Sequence, residues 1–230
     1  MKKRIHFLLF FILSLPKTLY FNFRSLPLHQ AVKLPVIIGY RIKILETHKG
    51  IIELPNETKF AMVRIGWGGS EGVMPRSSGA IMLEGGKVVF KGFAGFSKGC
   101  SIRSSGYLEF GDHFSANVNC FISCSKKVVF GSRCMLGWEV NVRDSDGHTV
   151  YIDGKAKESQ REVIIGNHVW LCSTANVLKG SCLGDNSIAA YGCLLTRSFP
   201  EEGLLVGGAP AVILQRKINW GPFQTPKMEK

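Results

Sequence analysis

The sequence predicts an all-β chain coiled into a solenoid, a parallel β-helix of hexapeptide repeats, and three observations lead there. Six consecutive hexads fill residues 165–200: IGNHVW, LCSTAN, VLKGSC, LGDNSI, AAYGCL and LTRSFP. Their first positions are aliphatic (Ile165, Leu171, Val177, Leu183, Ala189, Leu195), and their fifth are small in all but Phe199. A period of six fits neither a helix nor an alternating strand; it fits a three-sided coil of short strands turned by corners. Similar hexads open at Phe90, Phe110, Phe130, Ile165 and Leu183, in steps of 20, 20, 35 and 18 residues. A rung of three hexads takes 18 residues, so a step of 20 is one rung with two extra corner residues. Composition agrees. With 26 Gly, 15 Phe and 45% hydrophobic residues in 230, the chain has the makings of a turn-rich β protein with a full core.

The elements follow in order. Residues 1–30 form a basic and apolar segment. Lys2, Lys3 and Arg4 precede the apolar run Phe7 to Leu15, and Pro16 is expected to break it. Nine apolar residues are too few to span a bilayer, which takes about 20. The start resembles a signal peptide but lacks a small-x-small cleavage site. Tyr20, Phe21 and Phe23 then alternate with basic residues, the profile of a helix lying in the membrane interface. Packing on the protein's own body is the competing reading. Residues 31–60 carry three short β-like runs, Leu34 to Ile38, Ile42 to Leu45 and Ile51 to Leu54. These are expected to cap the solenoid as irregular strands, since terminal repeats are atypical.

Residues 61–216 form the repeat domain. The step of 35 is either two rungs short of one residue or one rung plus an excursion. The polar stretch 148–162 breaks the hexad rule and predicts a loop thrown out of the coil. Such loops tend to lie on one face, commonly the binding face. After Pro200 the sequence predicts a turn, a last strand and a short C-terminal capping helix. The tail, 217–230, is expected to fray from Gly221.

Charge and cysteines narrow the function classes. Of the net +12, residues 1–50 carry +8, with nine basic residues against Glu46 alone. That asymmetry predicts an electrostatic partner, a lipid surface or an acidic substrate. No nucleic-acid module appears, so nucleic acid is not expected. Seven cysteines without CxxC spacing indicate neither zinc nor a disulfide framework. Cys100, Cys120, Cys134 and Cys193 fall in the small fifth slot, where Cys packs as a small hydrophobe. Their number points to a reducing compartment.

Five motifs carry a resemblance: SANVN at 115–119, DSDGH at 144–148, IGNHVWLCS at 165–173, LGDNSIAAYGCLLTRSFP at 183–200 and VGGAP at 206–210. In this order around one loop, they resemble the hexapeptide-repeat acyltransferases over about residues 60–216. The nearest likeness is to galactoside and maltose O-acetyltransferases and to enzymes that O-acetylate capsular or lipopolysaccharide sugars. The resemblance implies a left-handed coil, a hand that periodicity alone does not reveal. It also implies acetyl-CoA as acyl donor, a saccharide acceptor, and a homotrimer with CoA in the groove between subunits.

The resemblance assigns roles to particular residues. His148, at the root of the loop, matches the base that takes the proton of a sugar hydroxyl as its oxygen attacks the thioester. An ordinary loop histidine is the bland alternative. Asp144 and Asp146 are candidates to hold the His148 tautomer and stabilise its imidazolium, although Asp-Ser-Asp-Gly also favours a turn by itself. Asn117 matches an asparagine that helps hold the acceptor, and a corner asparagine in a left-handed backbone is its alternative. Trp170, Ser173 and Ala190 match positions along the acetyl-CoA channel, with the backbone N–H near Ser173 a candidate oxyanion donor. For Trp170 the alternative is packing between subunits. Thr196 and Arg197 stand where a Thr-Lys pair is usual near the CoA phosphates. Three departures accompany the match: Cys172 and Ala190 where Gly is common, and Tyr191, which could narrow the channel. Trp67 and Trp138 have no assigned role. His113 and His168 occupy corner slots and read as surface residues. The paired histidines of metal-binding relatives of this solenoid are absent, so no metal is expected.

The sequence thus predicts an acetyl-CoA-dependent O-acetyltransferase acting on a surface polysaccharide or its lipid-linked precursor. Its expected place is the cytoplasm, peripheral to the inner face of the plasma membrane through residues 1–25. An acetyltransferase for a soluble small molecule (a free sugar, serine or an antibiotic) is one rival. A non-catalytic β-helix serving as an assembly module is the other.

Overall fold

A computed structural model describes residues 2–70 and 72–221. The body is a left-handed parallel β-helix with three faces, two of seven strands and one of nine. Each successive hexad passes to the next face. All twelve first and fifth positions of the six hexads at 165–200 are buried, at 5% exposure or less. The hexads are therefore the core, built because each corner returns an aliphatic side chain to the axis every sixth residue.

Three short strands, β1 (Val36–Ile38), β2 (Lys43–Glu46) and β3 (Ile52–Glu53), each begin one face, and we call these faces sheets I, II and III. Sheet I adds β4 (Val63–Ile65), sheet II adds β5 (Ala80–Leu83), and the coil climbs from there. The hexad openers align in sheet III, with Phe90 beside Phe110, Phe110 beside Phe130, Phe130 beside Ile165, and Ile165 beside Leu183. The three phenylalanine rings stack at 5.2 and 5.6 Å between centroids. Because the strands at 130 and 165 are direct neighbours, the step of 35 is one rung plus an excursion.

Helix α1 (Lys2–Ser25) runs through Pro16 without a break. The expected break at Pro16 is therefore corrected. A proline inside a helix costs about 3 kcal/mol in isolation, but here side chains on both sides of it are tied to residues 36–40, which contain β1. Ser14 accepts from the Tyr40 N–H at 3.0 Å. Thr18 accepts from the Ile38 N–H at 3.1 Å. Asn22 brackets Val36, accepting from its N–H at 3.2 Å and donating to its carbonyl at 2.6 Å. Positions four apart on a helix rise about 6.0 Å, close to the roughly 6.7 Å of two strand residues. The helix thus serves as the missing neighbour of an edge strand, which would otherwise present unpaired backbone groups. A short helix, α2 (Leu28–Ala31), leads into β1. No helix among the described residues is long and apolar enough to cross a membrane.

At the other end the structure corrects a second expectation. No C-terminal helix forms among the described residues. Val212–Gln215 is a strand pairing antiparallel with Leu205–Gly207 on the edge of sheet I. The reason is again the open edge: pairing VILQ with it satisfies backbone groups that a helix would leave exposed. Of the tail expected to fray, residues 222–230 lie outside the described residues.

Candidate active site

Two corners of the coil carry the residues singled out from the sequence. The corner joining sheet II to sheet III receives the chain after the strand Asn141–Arg143 and there throws out the excursion. Asp144 begins it, fully buried, and its two oxygens accept from the backbone N–H groups of Ser125, Lys126 and Lys127, each at 2.7 Å. A bridge between Ser145 and Gln160 closes the neck, and a hairpin of Tyr151–Ile152 with Lys155–Ala156 forms the tip. Lys179, from the next rung, pairs with Asp146 and donates to the Glu158 carbonyl, so one lysine pins both strands of the neck.

His148 stands between neck and tip, exposed, with no hydrogen bond or ion pair among the described residues. Both candidate carboxylate partners are engaged elsewhere in this structure. Asp144 is held by the 125–127 turn and Asp146 by Lys179, so neither is bonded to the imidazole. A carboxylate saturated with three backbone donors is a structural anchor.

Thr196 and Arg197 sit on the same II–III corner. Val142, Val177 and Leu195 are in register, which stacks the residues following them. Arg197 already donates to the Ala211 carbonyl at 3.2 Å and lies over the Phe199 ring at 5.2 Å.

The corner joining sheet I to sheet II carries the other group. Ala116, Leu136, Leu171 and Ala189 are in register in sheet I. Asn117, Ser173 and Ala190 follow them around this corner, and Trp170 precedes Leu171 in its strand. Gly137 lies between Asn117 and Ser173, and a Cβ there would stand 2.5 Å from the Ser173 nitrogen. The Ser173 N–H donates to no acceptor among the described residues. Tyr191, on the same corner, is 68% exposed.

Asn117 is not free. Its amide donates to the Ser70 hydroxyl at 2.7 Å, and its oxygen accepts from the Ser70 and Val118 N–H groups at 3.1 and 2.8 Å. Ser70 comes from a second excursion, between β4 and β5, that the hexad reading missed. The run GWGGSEG at 66–72 was its available signal. Trp67, Ser70 and Asn117 line a hollow of about 360 Å³. Trp220 was also missed. It stacks on His168 at 4.2 Å, donates to the His168 carbonyl at 2.8 Å and approaches Trp170 at 5.9 Å. His168 is consequently half-buried rather than a surface residue, whereas His113 is exposed.

The cysteines are packing residues. Burial pushes the Cys134 thiol up to about 12, and burial with the nearby Asp144 charge does the same to Cys124. Raised thiols are poor nucleophiles and poor metal ligands. Among the described residues no cluster of three His, Cys, Asp or Glu is placed to hold a metal.

A three-sided coil of hexads with an exposed histidine at the neck of one excursion defines a class, the hexapeptide-repeat acyltransferases. Comparison with known proteins agrees. The chain is 31% identical over 144 residues to a galactoside O-acetyltransferase of Lactococcus lactis, covering 59% of this chain and 68% of that protein. It is 33% identical over 97 residues to a polysialic acid O-acetyltransferase of Neisseria meningitidis, covering 41% of this chain and 45% of that one. In fold it is similar to the crystal structure of the polySia-specific acetyltransferase NeuO, with a TM-score of 0.52 at 20% identity over 82% of this chain and 87% of the other. No protein-family model matches the chain. The chain belongs to the hexapeptide-repeat O-acetyltransferase family, and it is an acyltransferase.

Proposed function

We propose that the protein transfers an acetyl group from acetyl-CoA to a sugar hydroxyl of a surface polysaccharide or its lipid-linked precursor. The observation that carries this reading is His148, an imidazole on an excursion with a pinned neck, without a partner among the described residues. A free imidazole can accept the hydroxyl proton while the oxygen forms its bond to the acyl carbon. The C–S bond then breaks, and the proton passes from the imidazolium to the leaving thiolate. Acetyl-CoA supplies the activated acyl carbon.

The chain's own residues fit such a donor. Ser173 and Ala190 keep the I–II corner narrow, and the uncommitted Ser173 N–H is a donor for the carbonyl oxygen. Trp170 offers an aromatic wall, and Thr196 with Arg197 offers hydroxyl and cation for phosphate. These groups sit at opposite edges of sheet II. One face of the coil, carrying the strands Asn176–Val177 and Leu194–Leu195, lies between the two corners. That separation supports a site completed between copies, the II–III corner of one meeting the I–II corner of the next, and we extend the proposal to a homotrimer. The apolar outer side of α1 supports a peripheral place on the cytoplasmic face of a membrane. A soluble small-molecule acceptor is the rival, and it predicts unchanged cell fractionation and activity on deleting residues 1–25.

The test is acetyl transfer to saccharide acceptors. His148→Ala is expected to lower kcat by about 10²–10⁴-fold while acetyl-CoA binding persists. Equal turnover by both proteins would remove His148 from the chemistry. Mass spectrometry of surface glycans with and without the gene checks the acceptor class, and unchanged acetylation would exclude the polysaccharide.

A further inference from the structure

Helix α1 is inside out. Its buried face is Ser14, Thr18, Phe21, Asn22 and Ser25, polar in all but one position. Its outer face is Leu8, Leu9, Ile12, Leu13, Leu19, Tyr20 and Phe23, each at least 44% exposed. Between the first half of this helix and sheet I runs a groove of about 660 Å³, within the roughly 300–1,000 Å³ of ligand sites. Leu8, Phe11, Ile37, Phe60 and Trp67 give it an apolar lining. Arg64 stands at its exposed rim. Among the described residues only its Nε is engaged, on the Ala61 carbonyl at 3.2 Å, which leaves its other donors for an anion. The groove adjoins the hollow beside the candidate acceptor residue Asn117, with Trp67 and Gly95 bordering both.

We propose that this groove seats the hydrocarbon chain of a phosphate-linked lipid carrier, with Arg64 at the phosphate and the attached sugar directed toward Asn117. The proposal rests on the sugar O-acetyltransferase reading and specifies its acceptor as lipid-linked. Three features favour a lipid chain over a second protein surface. The lining is apolar, a cation sits at one rim, and the helix forming one wall presents a continuous apolar face with basic residues in its sequence, as membrane-interface helices do.

The experiment uses the full-length protein and an ω-bromododecyl phosphate, whose bromine quenches tryptophan on contact. Saturable quenching is expected, and it should vanish in Trp67→Phe. Phe60 is 57% exposed, so its replacement leaves the core intact. Phe60→Asp places a carboxylate against the chain and is expected to weaken binding by about tenfold or more, while Phe60→Leu retains it. Inorganic phosphate should not displace the probe. Quenching that survives in Trp67→Phe, equal binding by Phe60→Asp, or displacement by inorganic phosphate would each overturn the proposal. So would a groove closed to the probe by a second copy, seen as absent quenching with a change in mass on Phe60→Asp. Binding is read without turnover. A protein that binds the chain but acetylates no sugar refutes the enzymatic reading alone, and one that acetylates soluble sugars without quenching refutes this inference alone.

Discussion

The coil and its N-terminal helix follow opposite rules. In the coil, aliphatic and phenylalanine side chains point inward and polar corners face water. In α1, Ser14, Thr18 and Asn22 point inward while leucine, isoleucine and phenylalanine face out. The difference comes from what each must cover. The coil closes around an axis with no backbone groups exposed to it, so apolar burial drives its packing. The helix covers the edge of β1, whose N–H and C=O groups demand hydrogen bonds, and a buried group left unpaired costs more than an apolar contact returns. A helix chosen for that inner face is free to carry apolar residues on its outer one.

Three substitutions would break or sharpen the contrast. Phe110→Ala removes the middle ring of the sheet III stack, with no exposure at all in the native fold. It is expected to destabilise by about 3–5 kcal/mol, read as a lowered denaturant midpoint. Asn22→Leu makes a buried position more apolar, yet it should destabilise by about 1–3 kcal/mol for each Val36 group left unpaired. A stabilised Asn22→Leu protein would refute the edge-capping role. Phe23→Ser sits on the outer face and should change stability by no more than about 0.5 kcal/mol. Its effect should appear instead in sedimentation with anionic vesicles, where losing one buried phenylalanine lowers partition by about tenfold. Unchanged partition would count against a membrane role for that face.

The coil was legible because its signal is local and repeated. Each hexad states its own inward positions, and the alignment of Phe90, Phe110, Phe130, Ile165 and Leu183 follows from counting. The excursion was legible because it interrupts the count. The second excursion, at 66–79, was not, because it falls among the irregular first rungs where no period had been established. Pro16 and VILQ misled for a shared reason. Local propensity argued for a broken helix and for a new helix, and in both cases an open sheet edge outweighed it.

By itself, then, the amino-acid sequence determined the coil, its core, the position of His148 on an interruption and the family to which the chain belongs. Tertiary structure alone decided what the neighbouring polar groups do. Asp144 answers to residues 125–127, Asp146 to Lys179, Asn117 to Ser70 and Ser14 to Tyr40, pairs separated by 17 to 47 positions. A hydrogen bond depends on which rungs and corners meet in space, and a period of six says where a side chain points without saying what it will find there.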